Sequence, residues 1–186
     1  KRYIMTGKNE PEISVGIVSG SGLTFTLHGD YLTSEGGRKL SGRYTAVAEN
    51  DSLLLKNEEE VIRPGDEIIL TPSAFESCSF TLHAVTIGVN FHWQRNEDQT
   101  FMGNLKFILR GGQVTAVNVL PVEEYLVSVI SSEMSANSSG ELLRAHAVIS
   151  RSWLLAQMDK TLRLSDAGEK YRTSFVTDTE ITRWYD

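Results

Sequence analysis

Cysteine is nearly absent from this chain. Cys78 stands alone among 186 residues, so no disulfide can close within the chain and no cysteine-based metal cluster can be assembled. Its simplest reading is a small buried residue. Positive charge is also short: 18 lysines and arginines face 24 aspartates and glutamates, for a net charge of -6 with histidine neutral. That balance argues against nucleic acid as a partner. No apolar run reaches the roughly 18–20 residues that a membrane-spanning helix needs, so no transmembrane segment is expected. The opening Lys1-Arg2-Tyr3 is polar and is no secretory signal. If the protein is exported, that signal is absent from this chain. What is present is 40% hydrophobic, enough for one sizeable domain or two small ones.

The first hundred residues read as β. Ile13 to Val18 alternates, Gly20-Ser21-Gly22 turns, and Leu23 to Leu27 alternates again. Glu35-Gly36-Gly37 and Arg63-Pro64-Gly65-Asp66 are further turns. Short apolar runs lie at Tyr44–Ala48, Leu53–Leu55 and Glu67–Leu70. Glu58, Glu59 and Glu60 read as a solvated face. Phe80 to Val89 is a long alternating strand, continuing towards Phe91 and Trp93, and Arg95 to Gln99 reads as a polar loop. Phe101 to Leu109 and Val114 to Val119 form a hairpin about Gly111-Gly112.

Two helices follow. Pro121 suits the first helical position of one, with Glu123 and Glu124 in its first turn, where the helix dipole favours negative charge. Its apolar stripe is Val122, Leu126, Val129 and Ile130, and one more step reaches Glu133. A carboxyl group on the core-facing stripe at a helix C-terminus is disfavoured in its ionised form, by desolvation and by the helix end. Alternatively, the helix frays at Ser131-Ser132 and Glu133 points to solvent. The second helix is expected over Ser139–Met158, capped by Ser138 or Ser139, with Leu142, Ala145, Ile149 and Leu155 as its apolar side. Arg144 and Arg151 share a face, and His146 lies on another, paired by spacing with Ser150. Thr161 to Lys170 reads as loop and Tyr171 to Val176 as a short strand.

These residues resemble the core of the stage II sporulation protein D family, which includes the amidase-enhancer proteins. The likeness is carried by Leu120, Pro121, Glu124, Tyr125 and Leu126, then Glu133-Met134, then Glu141, Leu143, Ala145, Ala147 and Arg151 in register. It extends back to the aromatic-x-Gly-x-Leu pattern at Phe101, Gly103 and Leu105. Four departures stand out. Ser135 replaces a proline, Arg144 a lysine, His146 a glutamine, and Ser152-Trp153 a Thr-Tyr pair. The family's later Gln-x-Tyr and Ser-Gly-Gly stretches are not in these residues, so the resemblance implies the first part of one such domain over residues 1–186. A small inserted β subdomain is expected at about 30–80.

The resemblance implies bacterial cell-wall remodelling, with peptidoglycan glycan strands as partner and an exported, cell-envelope location. Some members are lytic transglycosylases, which cleave the MurNAc–GlcNAc β-1,4 bond without water. Ordinary glycosidases generally use two carboxylates. Here one acid protonates the leaving oxygen, then takes a proton from the C6 hydroxyl as the 1,6-anhydro ring closes. Glu133 is the expected general acid/base. By position in the motif, Arg144, His146 and Arg151 are the expected sugar-binding residues. Arg151 is equally a structural partner for Glu133 or Glu124. No metal and no cofactor are expected. The alternative is a non-catalytic glycan-binding enhancer of a cell-wall amidase. The expected fold is α+β, a mostly antiparallel sheet portion packed against the two consecutive helices.

Overall fold

Alternation decides the β portion. In β2 (Gly22–Thr33) the side chains of Leu23, Phe25 and Leu27 are buried while Thr24 and Thr26 between them are not, the period of two that a one-sided strand requires. The computed structural model describes residues 10–87, 92, 94–134, 138–166 and 176–177. They form β1 (Glu12–Gly20), β2, β3 (Lys39–Glu49), β4 (Ser52–Lys56), β5 (Val61–Ile62), β6 (Glu67–Pro72), β7 (Ser79–Ile87), β8 (Arg95–Phe101), β9 (Asn104–Arg110) and β10 (Gln113–Pro121). Helices α1 (Val122–Glu133) and α2 (Gly140–Asp166) follow, then β11 (Val176–Thr177). The fold is α+β: a mostly antiparallel sheet and two helices.

The chain divides into two compact units. One holds Ser14 to Val119 together with β11, the other the segment up to Ile13 with the helical region from Leu120. In the first unit the strand order is β11-β1-β10-β9-β6-β2-β3-β4-β5, with β7 pairing β2 and β8. Residues 30–80 pair into this same sheet, through β6 with β9 and through β3 with β2. Its core is aromatic and aliphatic: Phe25 lies 4.8 Å from Phe107 and 5.9 Å from Tyr44 between ring centres. Phe25, Tyr31, Phe80, Phe107 and seven leucines or isoleucines of the same unit are all but sealed from solvent.

Strand β2 changes partner midway. Phe25–His28 pairs with β7, while Tyr31–Thr33 pairs with β6, and the register with β3 shifts between Leu27 and Tyr31. The β9–β10 hairpin closes as expected. Arg110 faces Gln113 across Gly111-Gly112, and both glycines have positive φ, 57° and 74°, as a two-residue mirror-image turn demands.

Three local expectations change. Arg95 to Gln99 is not a loop but most of β8, whose polar side chains bond across to β7: Thr86 Oγ1 donates to Asn96 Oδ1 at 2.9 Å, and the hydroxyls of Thr81 and Thr100 lie 2.7 Å apart. At the β7–β8 bulge Asp98 accepts from Ala84 N–H at 3.0 Å and lies 2.8 Å from His83 Nδ1. The Ala84 N–H, and then His83, hold the Asp98 carboxyl below its ordinary range. The run from Phe101 to Leu109 is broken between β8 and β9, because Gly103, at φ 90°, turns the chain there. Glu60 is not merely solvated: it pairs with Arg38 and accepts from the Tyr44 hydroxyl at 2.8 Å. The expected continuation of β7 towards Phe91 and Trp93 lies outside the described residues.

Candidate functional site

Helix α1 starts one residue later than the proline rule implies. Pro121 ends β10 with an extended backbone, φ -57° and ψ 144°, and so occupies the cap position. Its ring cannot offer a capping side chain, and the exposed N–H groups of the first turn are met from elsewhere. Val122 N–H donates to the Pro11 carbonyl at 3.0 Å, and Glu123 N–H donates to the Glu10 carboxylate at 2.7 Å. A carboxylate there satisfies an orphan donor and meets the positive end of the dipole. Nothing in the local sequence of α1 points to Glu10.

At its other end the helix does not fray. The hydroxyls of Ser131 and Ser132 donate back to the Val127 and Val129 carbonyls at 2.6 and 2.8 Å, and α1 runs through Glu133. Burial fades along the stripe: Val122 and Leu126 are buried, Val129 and Ile130 half-buried, and Glu133 exposed as a residue. Glu133 is therefore not pressed against hydrocarbon, which corrects the extrapolated stripe. Nor does its side chain stand in open water. It keeps 23% of its accessible surface, and Oε2 lies 2.9 Å from His146 Nε2.

Helix α2 is capped as expected, with Leu142 N–H donating to Ser139 Oγ at 3.2 Å. It is longer than expected. It continues through the residues 161–166 that read as loop, and the expected strand over residues 171–175 lies outside the described residues. Its buried side is also rotated. Leu142 and Ile149, with Val148 beside them, are exposed. The enclosed positions are Ser150 and Leu154, with Leu143, His146, Ala147 and Arg151 half-buried. Two stripes of comparable period exist on α2, and periodicity alone did not choose between them.

Arg151 faces neither Glu133 nor Glu124. Its guanidinium forms a two-pronged pair with Glu123, Nε to Oε1 at 2.7 Å and Nη2 to Oε2 at 2.5 Å. The hydrogen bonds from Arg151 hold the Glu123 carboxyl below its ordinary range, and Glu123 in turn raises Arg151. The four candidates thus sort into one joined pair, Glu133 with His146, one arginine committed to another acid, and Arg144. Arg144 is exposed and makes no ion pair with a described residue. The ties between the helices, Glu133–His146 and Glu123–Arg151, run in opposite order along α1 and α2, so the two helices are antiparallel.

The Glu123–Arg151 pair makes a first prediction. A carboxyl group whose folded-state pKa is depressed stabilises the fold above its unfolded pKa, and that contribution is lost as pH falls through the folded value. Both side chains are more than a third exposed, so screening keeps the expected cost of Glu123→Gln within about 1 kcal/mol at neutral pH. The gap between wild type and variant is expected to close below the usual carboxylate range. Thermal unfolding followed across pH checks it; a gap that persists undiminished in acid refutes the ion-pair account.

Among the described residues no group of three or more histidine, cysteine, aspartate or glutamate side chains is placed to hold a metal ion, and no described helix is long and apolar enough to cross a membrane. Comparison with curated proteins and with solved structures gives no match. A family model described as Stage II sporulation protein, SpoIID, matches residues 110–186. That segment holds β10, both helices and all four candidate side chains, and over it the chain is similar to the Stage II sporulation protein family.

Proposed function

We propose that this protein acts on the glycan strands of peptidoglycan in sporulation-related wall remodelling, cleaving the MurNAc–GlcNAc β-1,4 bond with Glu133 as the single general acid/base. The similarity of residues 110–186 to that family supports the cell-wall role. The observation that carries the chemistry is the Glu133 carboxyl itself, at the end of α1, part-exposed and held at one oxygen by an imidazole 2.9 Å away. Such a group is reachable by a polymer yet fixed in orientation, which acid catalysis needs. Oε1 has no hydrogen-bond partner among the described residues.

The acid gives its proton to the glycosidic oxygen as the C1–O4 bond breaks. The resulting carboxylate takes the C6 hydroxyl proton as O6 bonds to C1. One carboxyl group serves both steps, so no second acid is required. Glu123 could not easily serve as one, because Arg151 stabilises its ionised form. Arg144 is the guanidinium left open to a sugar's acetamido or carboxylate group. Arg151 instead ties α1 to α2. A substrate of this kind places the protein outside the cytoplasmic membrane.

Purified glycan strands, stripped of peptide, test the reading. The protein is expected to release 1,6-anhydro products, identified by mass spectrometry, and Glu133→Gln to slow that release by about 10²-fold or more. Equal product from the Gln variant refutes the catalytic role. If the protein yields no product but binds the strands and accelerates a cell-wall amidase, the enhancer reading replaces it.

A further inference from the structure

We propose that His146 is a positioning residue for Glu133: its Nε2–H donates to Oε2 of the carboxyl group and thereby makes Oε1 the oxygen that carries and exchanges the proton. The inference rests on the acid/base reading of Glu133 above and adds the group that selects its working oxygen.

A carboxyl group has two oxygens, and either can hold the proton. His146 Nε2 lies 2.9 Å from Oε2, the range of a direct hydrogen bond. With Nε2 protonated, Oε2 accepts from it when the carboxyl group is ionised. It still accepts when the proton sits on Oε1, because Oε2 is then the carbonyl oxygen. A proton on Oε2 would instead confront the imidazole N–H. One unchanged contact therefore serves both states of a residue that must be acid in the first step and base in the second. The proton leaves Oε1 for the glycosidic oxygen and returns to Oε1 from the C6 hydroxyl. His146 gains and loses none.

The choice of imidazole matters as much as its place. A neutral donor orients the carboxyl group without setting a full positive charge beside it. The same helix pair shows the opposite arrangement at its other tie. There the Arg151 guanidinium grips both oxygens of Glu123 and holds that carboxyl below its usual range. A cation on Glu133 would favour the form unable to donate a proton. His146 is half-buried, with 11% of its side-chain surface accessible, so the ring is confined as well as bonded.

Three variants and one spectroscopic measurement test this. His146→Gln supplies a neutral N–H donor and is expected to keep kcat within a few-fold of wild type. His146→Ala is expected to lower kcat for anhydro-sugar release by roughly tenfold to a hundredfold, the cost of a slightly misplaced catalytic group, with KM little changed. His146→Lys keeps a donor but brings a charge, and should lose at least as much as alanine. A raised KM with kcat intact would mean that His146 touches sugar, and unchanged kcat in both the Ala and Lys variants would mean that it does nothing; either overturns the proposal. Nitrogen-15 NMR of the ring reads the pair without any activity, at a pH where the imidazole is neutral. The Nε2–H tautomer is expected in the wild type. An Nδ1–H tautomer in the wild type overturns the proposal, whereas absent anhydro products with the Nε2–H tautomer in place count against the acid/base reading alone.

Discussion

Replacing Phe25 by alanine is expected to remove about 3–5 kcal/mol of stability, a large share of the roughly 5–15 kcal/mol that holds a domain folded. Phe25 is wholly enclosed. It sits in the part of β2 that pairs with β3 on one edge and β7 on the other. Its ring meets Phe107 of β9 at 4.8 Å and Tyr44 of β3 at 5.9 Å. Truncation removes apolar burial and also opens a void that neighbours pinned in three strands cannot collapse to fill. Interiors are packed too tightly for a ring-sized gap to close without backbone movement. Urea unfolding should show a lower midpoint with an unchanged slope, and Phe25→Leu should lose less because it keeps most of the apolar volume. An alanine variant within about 0.5 kcal/mol of wild type, the range of an ordinary surface change, would contradict this picture of the core.

Much of that sheet was legible because its signals are local. Leu23, Phe25 and Leu27 announce a strand with one wet face, and Gly111-Gly112 announces a mirror-image turn. Several of the misreadings share one cause: the deciding partner lies on another element. Among the described residues β8 pairs with β7 alone. Its stabilising bonds are hydroxyl, amide and carboxylate contacts to β7, so it shows no apolar alternation. The cap of α1 comes from Glu10 and Pro11, across more than a hundred residues. At the candidate site, spacing brought Glu133 to the end of α1 and left two settings open for it, hydrocarbon or solvent. What receives it is His146 of α2. Spacing within one helix cannot reveal a contact between two. The resemblance to a family pattern picked out the residues; the geometry paired them.

Gly29→Ala should be the most damaging of the single-methyl changes in β2, at roughly 2–5 kcal/mol, from two separable causes. Gly29 lies where β2 leaves β7 for β6, and its φ of 99° is one that side chains rarely adopt. Holding a non-glycine residue there costs roughly 1–2 kcal/mol. A Cβ would also lie 2.8 Å from Cys78 Sγ, inside any ordinary contact. The thiol has little room to yield, since Cys78 is buried with Ser73 Oγ at 3.8 Å and the Asp30 carbonyl at 3.7 Å. Forcing a methyl into such packing costs about 1–3 kcal/mol more. The two parts come apart in a double-mutant cycle. Cys78→Ala removes the sulfur and leaves the next atom, the residue's own Cβ, at an unstrained 3.5 Å. Gly29→Ala combined with Cys78→Ala should then cost less than the sum of the two single changes by about 1–3 kcal/mol, while the backbone share persists. Strictly additive costs would show that the clash is absent, and a harmless Gly29→Ala would show that β2 does not turn on that glycine at all.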